Sequence, residues 1–101
     1  MKEPLWLIAP ENYAETDLVS ILRNAPFIRF KSAVPLAQII DTEISRLGVF
    51  PTTIAEIDTI ASIVTCVREG LGVSVVPHVA MADDAKCVRI PFGNPQLNRQ
   101  I

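Results

Sequence analysis

The residues able to do chemistry are few, and no reaction's usual arrangement appears among them. The chain has a single histidine, His78, directly after Pro77 at the end of an apolar run, and two cysteines, Cys66 and Cys87. One imidazole and two separated thiols do not close a zinc site without carboxylates, and no metal-ligand spacing is present. No serine lies in a nucleophile-elbow pattern. The glycines of Glu69-Gly-Leu-Gly-Val73 match neither the dinucleotide fingerprint nor the phosphate loop, since no third glycine or Gly-Lys-Ser/Thr follows. Glu56 and Asp58 flank Ile57 and would share one face of a strand, yet Asp58 reads more simply as a helix cap. These residues point away from an enzyme and require no metal or cofactor.

Composition narrows the remaining classes. A chain of 101 residues is one small domain or a piece of a larger one. Half of its residues are hydrophobic and its mean hydropathy is +0.34, an apolar balance for so small a body. Such a balance suggests that one face is covered by something outside the chain. The net charge of −2, with nine basic residues scattered along the sequence, gives no footprint for nucleic acid. No run approaches the ~18 apolar residues of a membrane span. The five from Leu5 to Ala9 are too few for a signal-peptide core, so a cytoplasmic setting is expected. Both cysteines read as small buried hydrophobes.

The elements that must position any site alternate in type. Leu5–Ala9, bounded by prolines, predicts a strand buried on both faces. Residues 16–24 predict a short helix capped by Thr16, and 26–30 a second strand. Leu36, Ile39, Ile40, Ile44 and Leu47 mark one face of a helix that starts at Pro35 and ends at Gly48. A β-branched strand follows at 52–57. A helix over 59–69 comes next, capped by Asp58 and ended by a left-handed Gly70. Strands at 72–77 and 87–92 follow, and Leu97–Ile101 is extended and stops abruptly. Strand–helix alternation predicts a mostly parallel five-stranded sheet flanked by helices, an α/β fold with right-handed crossovers.

In such a sheet, ligands collect outside the carboxyl ends of the strands, beside helix N-termini. That rim would gather the loop Lys31-Ser-Ala-Val-Pro-Leu36, the turn Ile57-Asp58-Thr59, and Pro77-His78. The first-turn amides at 34–37 and 59–61, with the Lys31 ammonium and the Ser32 hydroxyl, suit an anionic or hydrogen-bonding group. The same residues are equally consistent with a Ser32 that only starts a helix and a solvated Lys31.

The order of these features resembles the effector-binding region of LysR-type transcriptional regulators. "PFIRF" is followed by a variable loop and a helix reading "IIDTEISRLG", then "FPTTIAEIDTIASIVTCVREGLGVSVVP" and "CVRIPF". The most specific stretch is Glu56-x-Asp58, eleven helical residues, and Gly70-Leu-Gly-Val-x-x-x-Pro77. The resemblance implies the second of two periplasmic-binding-protein-like (type 2) subdomains, here residues 1–101. The first subdomain and the DNA-binding winged helix of the bacterial parent lie outside the chain. Leu5–Ala9 would then be the crossing strand in, and Leu97–Ile101 the crossing strand out.

It also implies a small-molecule effector in the cleft with the other subdomain of the same parent chain, touched from this side by Lys31, Ser32, Val34, Pro35, Leu36, Ile57, Asp58 and Thr59. A side-by-side homodimer would use the 35–47 helix and the 52–57 strand. The loop has no cysteine, which sets it apart from the family's peroxide sensors. Two other readings stay open: a lobe of a periplasmic-type solute-binding protein, and a structural or oligomerisation module without a ligand. The fragment itself is expected to contact neither nucleic acid nor membrane. Gly72 is expected to allow close packing of helix on strand.

Overall fold

A computed structural model describes residues 1–81 and 86–101. In chain order it contains β1 (Lys2–Pro10), α1 (Leu18–Asn24), β2 (Pro26–Phe30), α2 (Pro35–Arg46), β3 (Thr52–Ile57) and α3 (Ile60–Arg68). Then follow β4 (Ser74–Pro77), a 3₁₀ turn (His78–Ala80), β5 (Cys87–Pro91) and β6 (Asn98–Gln100). Each expected element is present, with shifted ends, and the 3₁₀ turn was not expected.

The sheet is not the mostly parallel, five-stranded one that alternation predicts. β1 pairs antiparallel with β4, β5 and β6, forming a four-stranded sheet, while β2 and β3 form a separate parallel pair. A parallel bridge between Phe27 and Val73 links the two, with Val73 N–H donating to the Pro26 carbonyl and Ile28 N–H to the Val73 carbonyl, both at 2.9 Å. The α2 and α3 crossovers therefore behave as expected and keep β2, β3 and the approach to β4 parallel. β1 enters between β4 and β5 in the opposite sense. A run buried on both faces carries the same apolar signal whichever way it points, so burial was legible and direction was not.

That burial holds for every residue of Leu5–Ala9 except Trp6, which is half-buried. Leu5, Leu7, Ile8 and Ala9 of β1 lie in the core with Ile21 and Leu22 of α1, Ile63 and Val67 of α3, Val75 and Val76 of β4, and Phe92. Arg29 of β2 ties the outer pair to α2, bonding Asp41 at 2.6 Å and Glu56 of β3 at 2.7 Å. Cys66 and Cys87 are unpaired thiols, but half-buried rather than fully so, and burial pushes the Cys87 thiol up.

Two caps fall one residue later than expected. Asp17, not Thr16, caps α1 by accepting from Ser20 N–H. Thr59, not Asp58, caps α3, its Oγ1 accepting from Ser62 N–H at 3.4 Å. We expect Thr59→Ala to cost about 0.5–1 kcal/mol, the low end for a cap because the bond is long. Asp58→Ala should stay within about 0.5 kcal/mol of the parent stability. Urea unfolding of the two variants checks the assignment; a larger loss at Asp58 would reverse it. Gly48 and Gly70 take the expected left-handed backbone beyond α2 and α3, with φ of 72° and 86°. Gly72 differs from its expected role: a Cβ there would meet the Pro26 carbonyl oxygen at 2.5 Å, so the close approach is to β2 and not to a helix.

Candidate functional site

Because β2 and β3 run parallel, both end at the same edge, with α2 and α3 starting just beyond them. The backbone joins the two loops there: Lys31 N–H donates to the Ile57 carbonyl at 3.0 Å. Lys31, Glu56, Ile57 and Asp58 line an open cavity of about 530 Å³. Three of the sequence-predicted residues are therefore brought together. Glu56, which the sequence marks only as part of a motif, joins them.

Glu56 alters the electrostatics of this rim. Its carboxylate accepts from Arg29 at 2.7 Å and lies 3.7 Å from the Lys31 ammonium. The hydrogen bond from Arg29, then the Lys31 charge, hold its pKa below the ordinary carboxylate range. Arg29, clasped by Asp41 and Glu56, is held even more firmly in its charged form. The alternation Glu56-x-Asp58 was the available signal, since it places two carboxylates on one side of the strand end.

The other predicted residues divide by role. Ser32 Oγ accepts from Val34 N–H at 3.3 Å, so it braces the entry to α2. Val34 is the N-cap residue of α2 with no side-chain cap, followed by Pro35 at the first helical turn, and Val34 is 47% exposed. In the first turn of α2 Pro35 has no N–H, Val34 N–H goes to Ser32 and Ala37 N–H to the Val34 carbonyl at 3.2 Å, which leaves the Leu36 amide for an outside acceptor. Pro35 lies apart from the Lys31 cavity, beside a shallow one of about 380 Å³ shared with Gln38, Ile39, Thr42, Glu43 and Leu97. Leu36 is 4% exposed and packs into the core, so its side chain faces inward in this chain. His78 is exposed, and its Nδ1 accepts from Trp6 Nε1 at 3.2 Å. Among the described residues no cluster of three or more His, Cys, Asp or Glu could hold a metal ion. No helix among them is long and apolar enough to cross a membrane. The arrangement suits recognition of a polar group.

Comparison with known proteins bears on this geometry. The family model of the LysR substrate binding domain matches residues 1–101, the whole chain. No curated protein sequence matches it. Among solved structures, the effector-binding domain of QuiR in complex with shikimate superposes with a TM-score of 0.78 at 19% identity, covering 97% of this chain and 49% of that one. CbnR, a LysR family transcriptional regulator, gives 0.74 at 15% identity, covering 97% and 36%. The BenM effector-binding domain with its effector benzoate gives 0.70 at 16% identity, covering 91% and 46%. This chain therefore spans about half of the effector-binding domains it resembles.

Proposed function

The chain belongs to the LysR substrate-binding-domain family, and on that premise we propose that it is one lobe of the effector-sensing domain of a transcriptional regulator. The lobe binds a small-molecule effector at the edge where β2 and β3 end and closes over it with a second lobe of the same parent chain. The observation that carries this reading is the Lys31–Ile57 backbone bond. It holds the two predicted contact segments together beside a cavity, with the uncapped first turn of α2 starting from the same loop.

The Leu36 amide and the Lys31 ammonium, which is shared with Glu56, offer donors to an effector carrying a hydrogen-bond acceptor such as a carboxylate. The ligands of two structural neighbours, shikimate and benzoate, are compatible with that chemistry. Ser32, Val34 and Pro35 frame the loop; Leu36 acts through its backbone and by anchoring the helix start; Asp58 and Thr59 supply the opposite side. The lobe carries no catalytic step. Its ligand instead alters how the parent regulator, cytoplasmic and DNA-binding through another domain, engages its operator. Copies associate side by side through α2 and β3. Phe50, 91% exposed between these elements, and Ile54 on the outer strand, 52% exposed, support that face as one needing cover.

Thermal-shift titration of the two-lobed parent with aromatic acids, amino acids and sugar acids tests the sensing role. An effector present at 100 times its Kd should stabilise the protein by about 2.7 kcal/mol. The same compound should lose that effect in a Lys31→Glu variant. If no member of a broad panel raises the melting temperature, the sensing role is wrong.

A further inference from the structure

We propose that the groove between α3 and the 3₁₀ turn is a second small-molecule site, distinct from the Lys31 edge, which takes a monocarboxylate with an apolar body. The groove has a volume of about 460 Å³, within the range of small-ligand sites. Its floor is buried and apolar, formed by Val64 of α3 and Pro77 at the end of β4, with Ile60, Ala61, Val79 and Ala80 along its lips.

Its polar lining decides what it can recognise. Three polar side chains reach it: Thr65, Arg68 and Arg99. The Thr65 hydroxyl is already spent, donating to the Ala61 carbonyl of its own helix at 3.1 Å. Specificity therefore falls to two guanidinium groups, and no Asp or Glu among the described residues contributes to the lining. Arg99 is the anchored one. Its Nε donates to the buried Glu3 carboxylate at 2.6 Å, which fixes the guanidinium plane. Glu3 in turn accepts from Val79 N–H at 2.6 Å, so the same carboxylate sets the position of the groove's lip. The two terminal nitrogens of Arg99 make no hydrogen bond among the described residues, and its side chain is 31% exposed. A fixed guanidinium edge beside an apolar trough matches a carboxylate bonded through two parallel N–H donors, with its hydrocarbon part lying on Val64 and Pro77. Arg68, exposed at the far end of α3, adds long-range attraction for an anion.

Isothermal titration of the protein with 4-phenylbutyrate, and with 4-phenylbutan-1-ol as its uncharged counterpart, tests the site. The acid should bind at one site and the alcohol about tenfold or more weakly, the factor expected for a charge-assisted bidentate contact. Ala61→Trp places an indole in the groove from an exposed helix position and should abolish binding while leaving the melting temperature close to the parent value. Arg99→Lys keeps a positive charge for Glu3 but loses the fork, and should weaken the acid about tenfold with little effect on the alcohol. Lys31→Glu, which reverses a charge lining the Lys31 cavity, should leave binding of the acid unchanged. No binding of the acid, equal binding of acid and alcohol, persistence of binding in Ala61→Trp, or its loss in Lys31→Glu would each overturn the assignment.

Discussion

Replacing Arg99 with methionine is expected to cost about 2–4 kcal/mol at neutral pH, because it strands a carboxylate that the fold has taken out of water. Glu3 is 6% exposed, and its two oxygens are divided between Arg99 Nε and the Val79 amide, each at 2.6 Å. Partial exposure of Arg99 keeps the cost below that of a fully enclosed pair. Burial alone would push the Glu3 carboxyl up. The hydrogen bonds from Arg99 and Val79 and the charges of Arg99 and His78 outweigh it and hold the group below its ordinary value of 4.5.

The pH dependence follows from that direction. Unfolded chains regain the ordinary value, so on acidification the unfolded state takes up a proton first. The pair's contribution is therefore complete above about pH 4.5 and is lost as pH falls through the lower folded-state value. In Arg99→Met the stranded carboxylate is relieved by protonation, so the gap between variant and parent should narrow as the buffer is acidified. Glu3→Gln combined with Arg99→Met removes the charge and keeps an acceptor for Val79. It should recover most of the lost stability and flatten the acid limb. Urea unfolding of the three proteins between pH 3 and 7 (roughly the span over which a carboxylate titrates) measures both effects. An Arg99→Met variant as stable as its parent at neutral pH would show that the pair carries no such weight.

The Glu3–Arg99 pair also lies beyond the reach of local sequence signals. The three helices and the first five strands were legible from period, prolines and glycines, because each of those signals acts over a few residues. Pairings such as Glu3 with Arg99 join the first strand to the last, and no local pattern reports them. Strand direction failed for a related reason: the apolar content of Leu5–Ala9 encodes burial, and its neighbours β4 and β5 come from 65 or more residues downstream. The caps slipped by one because Thr16-Asp17 and Asp58-Thr59 are each two cap-competent residues in succession. Which of them caps depends on the angle at which the chain enters the helix. The Lys31 edge was legible because parallel pairing of β2 and β3 follows from the α2 crossover, and that alone brings Lys31 to Ile57. The α3 groove was not, since its far wall is a 3₁₀ turn that leaves no periodic trace in three residues.

Gly72 offers the strongest single test of how the two strand systems are joined. Here a Cβ would lie 2.5 Å from the Pro26 carbonyl oxygen and 3.2 Å from its carbon, and both are backbone atoms of β2 that cannot swing aside. Pro26 O is also the acceptor for Val73 N–H at 2.9 Å, the bond that holds the parallel bridge. A methyl group at position 72 must therefore push β2 away from β4 and stretch the junction between the four-stranded sheet and the β2–β3 pair, which also holds the Ile28 N–H to Val73 carbonyl bond and the bond from the Ser74 hydroxyl to the Ile28 carbonyl. We expect Gly72→Ala to lose about 3 kcal/mol or somewhat more, the upper range for overpacking. In a domain of this size that lowers the melting temperature by more than about 10 °C.

Gly70, two residues earlier, provides the control. It has φ of 86° and nothing within 4 Å of where a Cβ would sit, so Gly70→Ala bears only the left-handed backbone penalty of about 1 kcal/mol. The two glycines of one Gly-Leu-Gly motif should thus differ about threefold in cost, the inner one through strand contact and the outer one through backbone conformation alone. Because Lys31 directly follows β2, the Gly72→Ala shift should also loosen the Lys31 edge, seen as faster amide exchange at Lys31 than in Gly70→Ala. Equal melting temperatures for the two variants would contradict the strand contact as the reason for Gly72.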